Sequence, residues 1–105
     1  MTHVLDKLLA TIAARRGADP TSSYTAKLLS QGAERCAKKF GEEAVEAVIA
    51  AAAGKKDEVV TESADVLYHL MVLWAACGVK PEEVWQTLAQ REGRSGLEEK
   101  ASRTQ

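Results

Sequence analysis

A chain of 105 residues with 14 basic and 15 acidic side chains and a formal net charge of −1 is one small domain without the global basic field that drives nonspecific nucleic-acid binding. A domain of this size buries a limited share of its surface, so pairing with a second copy is a ready means of gaining core. Cys36 and Cys77 lack a CxxC spacing, no secretory leader is legible at the N-terminus, and the nearly apolar stretch 66–79 is interrupted by His69 and too short for a bilayer, which leads us to expect a reduced, cytoplasmic protein with no membrane role.

Val4, Leu5, Leu8, Leu9 and Ile12 recur at helical spacing, and the pattern stops at Arg15, Arg16 and Gly17. A basic last turn followed by glycine ends a helix, so the first helix is predicted over about 3–16. Residues 18–23, ADPTSS, are turn chemistry that also offers N-caps, and 24–31 read as a short helix ending near Gly32. The segment 33–53 holds eight alanines and few β-branched side chains, and predicts a long helix stopped by Gly54. A second long helix is predicted over 56–77, with Gly78 ending it. Pro81 suits the first position of the next helix, Glu82 and Glu83 suit its positive end, and that helix runs to about 92. The tail 93–105 carries one large apolar residue, Leu97, and is expected to be flexible until a ligand or partner orders it. The expected architecture is all-α: an antiparallel helical bundle over 1–92 with two long central helices, completed by homodimerisation.

The chemistry concentrates on the two long helices. Glu42, Glu43 and Glu46 flank the run AVIAAAA at 47–53, which is apolar all the way round, as in a helix surrounded by neighbours. In the second long helix the stretch 64–77 has only Asp65 and His69 as clearly ionisable groups. An unpaired charge buried there costs several kcal/mol, so Asp65 is expected to be protonated, ion-paired or bound to a metal. Glu62 lies three residues before it on the same face, and His69, four residues after, is expected to hydrogen-bond Asp65 or a neighbouring helix. Two such i, i+3 pairs on adjacent antiparallel helices place Glu43, Glu46, Glu62 and Asp65 around one cavity. Two anions about 5 to 6 Å apart repel by about 3 kcal/mol at an effective dielectric near 20. A cluster of this kind calls for divalent cations, and hard oxygen ligands without thiolates favour Mg²⁺, or Mn²⁺ as a substitute, over zinc.

The segments KKFGEEAVEAVIAAAAG and TESADVLYHLMVLW resemble the EExxE and ExxD motifs of the all-α nucleoside triphosphate pyrophosphohydrolase superfamily. More narrowly, ADPTSSYTAKLLSQG at 18–32, the Lys38-Lys39 pair before Gly41, Tyr68-His69 and the tail REGRSGLEEKASR at 91–103 resemble the phosphoribosyl-ATP pyrophosphohydrolase family of histidine biosynthesis. The resemblance covers essentially the whole chain. It implies a cytoplasmic homodimer that hydrolyses phosphoribosyl-ATP to phosphoribosyl-AMP and pyrophosphate with Mg²⁺. By motif position it carries the metal ligands to Glu43, Glu46, Glu62 and Asp65.

Glu42 completes the EExxE motif on a different azimuth, and either Glu42 or Glu46 is expected to accept the proton of the attacking water. The polyanionic substrate calls for cations, and Arg15, Arg16, Lys27, Lys38 and Lys39 are the candidates. Each has a competing structural role. Arg15 and Arg16 also suit a helix C-terminus, and Lys38 and Lys39 are placed to pair with Glu42 and Glu43 at i, i+4. Trp74 and Trp85 are expected in the core or a dimer interface, and Arg91, Arg94, Ser95, Lys100 and Arg103 are positioned to fold over a polyanion. Two rival readings share the acidic motifs or the architecture: a house-cleaning pyrophosphohydrolase of noncanonical nucleotides, and a non-catalytic helical dimer whose acids pair with Arg35, Lys38 and Lys39.

Overall fold

Each predicted helix forms, and its ends fall within a residue or so of where the turn chemistry puts them. The computed structural model describes residues 3–92 and, among them, contains α1 (Val4–Arg15), α2 (Tyr24–Ser30), α3 (Ala33–Ala52), α4 (Lys56–Cys77) and α5 (Pro81–Arg91), with no strand. The tail, with its candidates Arg94, Ser95, Lys100 and Arg103, lies outside the described residues.

The turn between α1 and α2 is built by side chains. The Asp19 carboxylate accepts the Thr21 backbone N–H at 2.9 Å and the Thr21 hydroxyl at 2.8 Å, and these bonds hold the Asp19 pKa below the usual carboxylate range. Ser23 Oγ then accepts the Ala26 N–H at 3.1 Å and caps α2. Gly32, predicted as the end of α2, is instead the N-cap of α3, where φ is +92°. Only glycine enters that conformation without steric cost, so Gln31 and Gly32 suffice to join the two helices at a sharp bend.

Three residues join α3 to α4, and this short connection folds the two long helices back along each other as a hairpin. The core beside the hairpin takes one or two residues from each of four helices: Ile12 from α1, Leu28 from α2, Cys36 from α3, and Met71 and Val72 from α4. Cys36 Sγ also donates to the Leu28 carbonyl at 3.3 Å, tying the start of α3 to α2. Trp74 of α4 meets Trp85 of α5 edge to face with centroids 5.6 Å apart, a favourable aromatic geometry that holds the last helix. At the C-terminus of α4, Gly78 adopts the left-handed conformation and Arg16 donates a guanidinium N–H to the Ala75 carbonyl. The cation thus complements the negative end of a helix other than its own.

The expectation that neighbours surround 47–53 is not met within one chain. Only Ala50 of that run is buried, while Val48 and Ile49 are 66% and 62% exposed. The other helices cover one side of α3 and leave the other bare. Taken whole, α4 is also long and apolar enough to cross a membrane by length and composition, with a mean hydropathy of 1.2 over its most apolar window, so the length argument made from 66–79 alone does not hold. What speaks against a span is charge, because Glu62, Asp65 and His69 interrupt the helix where lipid would penalise them.

Candidate metal centre

Glu43 lies on α3 and Glu62 and Asp65 on α4, and the hairpin brings one carboxylate oxygen of each within 4.8 Å of the other two. Glu46, one turn beyond Glu43, acts on both Glu43 and Glu62 as a neighbouring carboxyl group. The structure thus groups Glu43, Glu62 and Asp65, with Glu46 as a neighbour of the first two.

The electrostatics follow from crowding. Burial raises the Glu43 pKa, Glu46 and Asp65 raise it further, and the Lys39 ammonium opposes them. Burial likewise raises Glu62, followed by Glu46, Asp65 and Glu43. Glu62 Oε2 is buried and has no hydrogen-bond partner among the described residues. A carboxylate oxygen withdrawn from water without a donor is costly, and a hard cation ligated by that oxygen and its neighbours removes the cost. The residues therefore fit a divalent metal. The expected burial of Asp65 is corrected: Asp65 is exposed, and the buried oxygen belongs to Glu62. Burial of α4 is centred on Met71 and Val72, more than a turn further along.

These shifts carry a sign. Folding raises the Glu43 and Glu62 pKa values, so their contribution to stability is fully present below the usual carboxylate pKa and is lost as pH rises through the raised values. In a chelator, the melting temperature is expected to be higher near about pH 5 than near about pH 7.5, and Glu62→Gln is expected to flatten that difference. Mg²⁺ should restore stability chiefly at the higher pH, where the ligands are ionised. Calorimetric melts across pH, with and without Mg²⁺, check this.

Of the candidate cations, Lys39 lies nearest the cluster. Its Nζ stands 3.3 Å from Glu42 Oε2, an i, i+3 pair in place of the i, i+4 pairs expected for Lys38 and Lys39. Glu42 raises the Lys39 pKa most, with smaller contributions from Tyr24 and Glu43. Lys38 is exposed and makes no ion pair among the described residues. Lys27 is exposed and lines an open hollow with Pro20, Thr21, Ser22, Ser23 and Tyr24. Arg15 is exposed at the end of α1. Arg16, bonded to Ala75, lines a second hollow with Ile12, Met71, Trp74 and Lys80. Ala75 is ten residues along α4 from Asp65, about 15 Å of helix, so the structure does not bring Arg16 to the carboxylates.

His69 is 6% exposed. Burial and Lys39 lower its pKa against the pull of Asp65 and Glu42. Among the described residues the hydrogen bond expected to Asp65 or a neighbouring helix is not formed; instead the ring packs edge-on against Tyr68 and Tyr24, with centroids 4.9 Å and 6.2 Å away. Tyr68 OH and Thr25 Oγ1 lie 2.5 Å apart. The part of Tyr24 in this group was missed from sequence, because its neighbours Tyr68 and His69 come from another helix.

Carboxylates gathered from both arms of a helical hairpin in an all-helical domain define the class of all-α pyrophosphohydrolases that the EExxE and ExxD motifs resemble. The family model of phosphoribosyl-ATP pyrophosphohydrolase matches residues 5–92, and the chain belongs to this family. It is 58% identical over 102 residues to a protein of Paramagnetospirillum magneticum, covering 97% of this chain and 94% of that one. It is 60% identical to one of Azospirillum brasilense, covering 95% and 90%, and 61% identical to one of Dinoroseobacter shibae, covering 95% and 98%. All three are named phosphoribosyl-ATP pyrophosphatase.

Proposed function

We infer that this chain hydrolyses phosphoribosyl-ATP to phosphoribosyl-AMP and pyrophosphate in histidine biosynthesis, with Mg²⁺ held by Glu43, Glu46, Glu62 and Asp65. The family match over 5–92 supports the reaction, and the observation that carries the metal is the buried, unpartnered Glu62 oxygen inside the carboxylate cluster. Bound Mg²⁺, or Mn²⁺ in its place, supplies charge neutralisation on the triphosphate and polarisation of water.

The chain's own residues divide the remaining work. Lys39, beside the cluster and steadied by Glu42, binds phosphate oxygens and aligns the chain of phosphates. Glu46, adjacent to Glu43 and Glu62, or Glu42, paired with Lys39, accepts the proton of the attacking water. Lys27, Lys38, Arg15 and Arg16 are exposed cations for the rest of the polyanion, and Arg16 has the weakest claim because of its bond to Ala75.

The protein acts as a homodimer. Val45, Val48 and Ile49 make an exposed apolar stripe on α3, and Val60 and Leu67 add exposed apolar surface on α4; a second copy covers them. The balanced charge fits a cytoplasmic enzyme with no nucleic-acid or membrane partner. Pyrophosphate release from phosphoribosyl-ATP, measured beside a panel of ordinary and deoxynucleoside triphosphates, tests the reading. Preference for phosphoribosyl-ATP is expected. Preference for any member of the panel would favour the house-cleaning activity, and no release from any of them would favour the binding module.

A further inference from the structure

We propose that Tyr24 is the platform on which the purine of the substrate stacks while the triphosphate lies on the carboxylate cluster. The inference rests on the reaction inferred above and adds a residue that the acidic motifs do not include. Tyr24 is 52% exposed although it is one of five aromatic residues in the chain. One side of its ring is engaged: Tyr68 lies nearly parallel to it, at 22° with centroids 6.5 Å apart, and His69 meets it edge-on at 6.2 Å. Tyr68 is in turn fixed by its 2.5 Å contact with Thr25. The ring is thus held from beneath and open above, and a preorganised flat face of this kind binds a base without an ordering cost.

Its position suits the substrate. His69 is four residues from Asp65, one turn along the same face of α4, so the Tyr24 ring stands one ring beyond the carboxylates. Lys39 bridges the same gap, being paired with Glu42 and within electrostatic reach of Tyr24 and Glu43. A nucleotide whose phosphates meet the cluster and Lys39 has its base directed at Tyr24. Tyr24 itself lines the hollow with Pro20, Ser22 and Lys27, which leaves room for a group attached to the base that an ordinary nucleoside triphosphate lacks.

The test uses Tyr24→Phe, which keeps the ring, and Tyr24→Leu, which keeps apolar volume over Tyr68 but removes the flat face. Each is assayed for kcat and KM with phosphoribosyl-ATP and for inhibition by inorganic pyrophosphate, with thermal melts to confirm folding. Tyr24→Leu is expected to raise KM at least about fivefold with kcat within about threefold of wild type, and Tyr24→Phe to leave KM within about twofold, as for loss or retention of one stacking face. Pyrophosphate inhibition is expected to be unchanged in both, since pyrophosphate has no base. Unchanged KM in Tyr24→Leu, an equal loss in Tyr24→Phe, or a parallel weakening of pyrophosphate would overturn the assignment. A wild-type protein that releases no pyrophosphate would overturn the inferred reaction, and the Tyr24 assignment with it.

Discussion

Glu62→Gln is expected to lower the rate of pyrophosphate release at least about a thousandfold while leaving all five helices folded, because the substitution removes one anionic ligand and with it the metal's stabilisation of the transition state. Glutamine keeps the shape of the side chain and loses its charge. The buried, unpartnered Oε2 is then no longer part of an anion, and repulsion from Glu43, Glu46 and Asp65 is relieved. The melting temperature of the metal-free variant should therefore rise above that of the metal-free wild type, while Mg²⁺ should stabilise the variant less. Asp65→Asn and Glu46→Gln should follow the same pattern. This opposition of stability and activity is the signature of a ligand cluster, because a merely structural glutamate would lose both together. Steady-state assays and calorimetry on one protein preparation check it.

Val48→Asp is expected to split the proposed homodimer, raising its dissociation constant by about a thousandfold or more, since a twofold interface would place two unpaired carboxylates in an apolar contact at once. Val48 is 66% exposed in the single chain and makes no part of its core. A monomer that keeps its helicity and melts at lower temperature is the expected product. Sedimentation across a range of concentrations measures this. A wild-type mass that stays monomeric at every concentration would contradict the assembly.

The helices were legible in the sequence because their signals are local. Gly54, Gly78 and Pro81 mark ends, and the period of Leu5, Leu8, Leu9 and Ile12 marks a face. The acidic set was legible because i, i+3 spacing on two helices joined by three residues leaves little freedom in how the pairs meet. Burial was not legible: Asp65 sits next to the apolar run from Val66 yet is exposed, since which side of α4 is covered depends on where α1 and α2 land. The same limit hid the bond from Arg16 to Ala75, 59 residues away. It also hid Tyr24, whose neighbours Tyr68 and His69 come from another helix.

Direct titration of the protein with Mn²⁺, read by electron paramagnetic resonance, tests without reference to turnover whether the four carboxylates on the α3–α4 hairpin hold a divalent metal. The wild type should bind Mn²⁺ in competition with Mg²⁺, and Glu62→Gln should lose that binding while remaining folded. Mn²⁺ bound with undiminished affinity by folded Glu62→Gln and Asp65→Asn proteins would contradict the account.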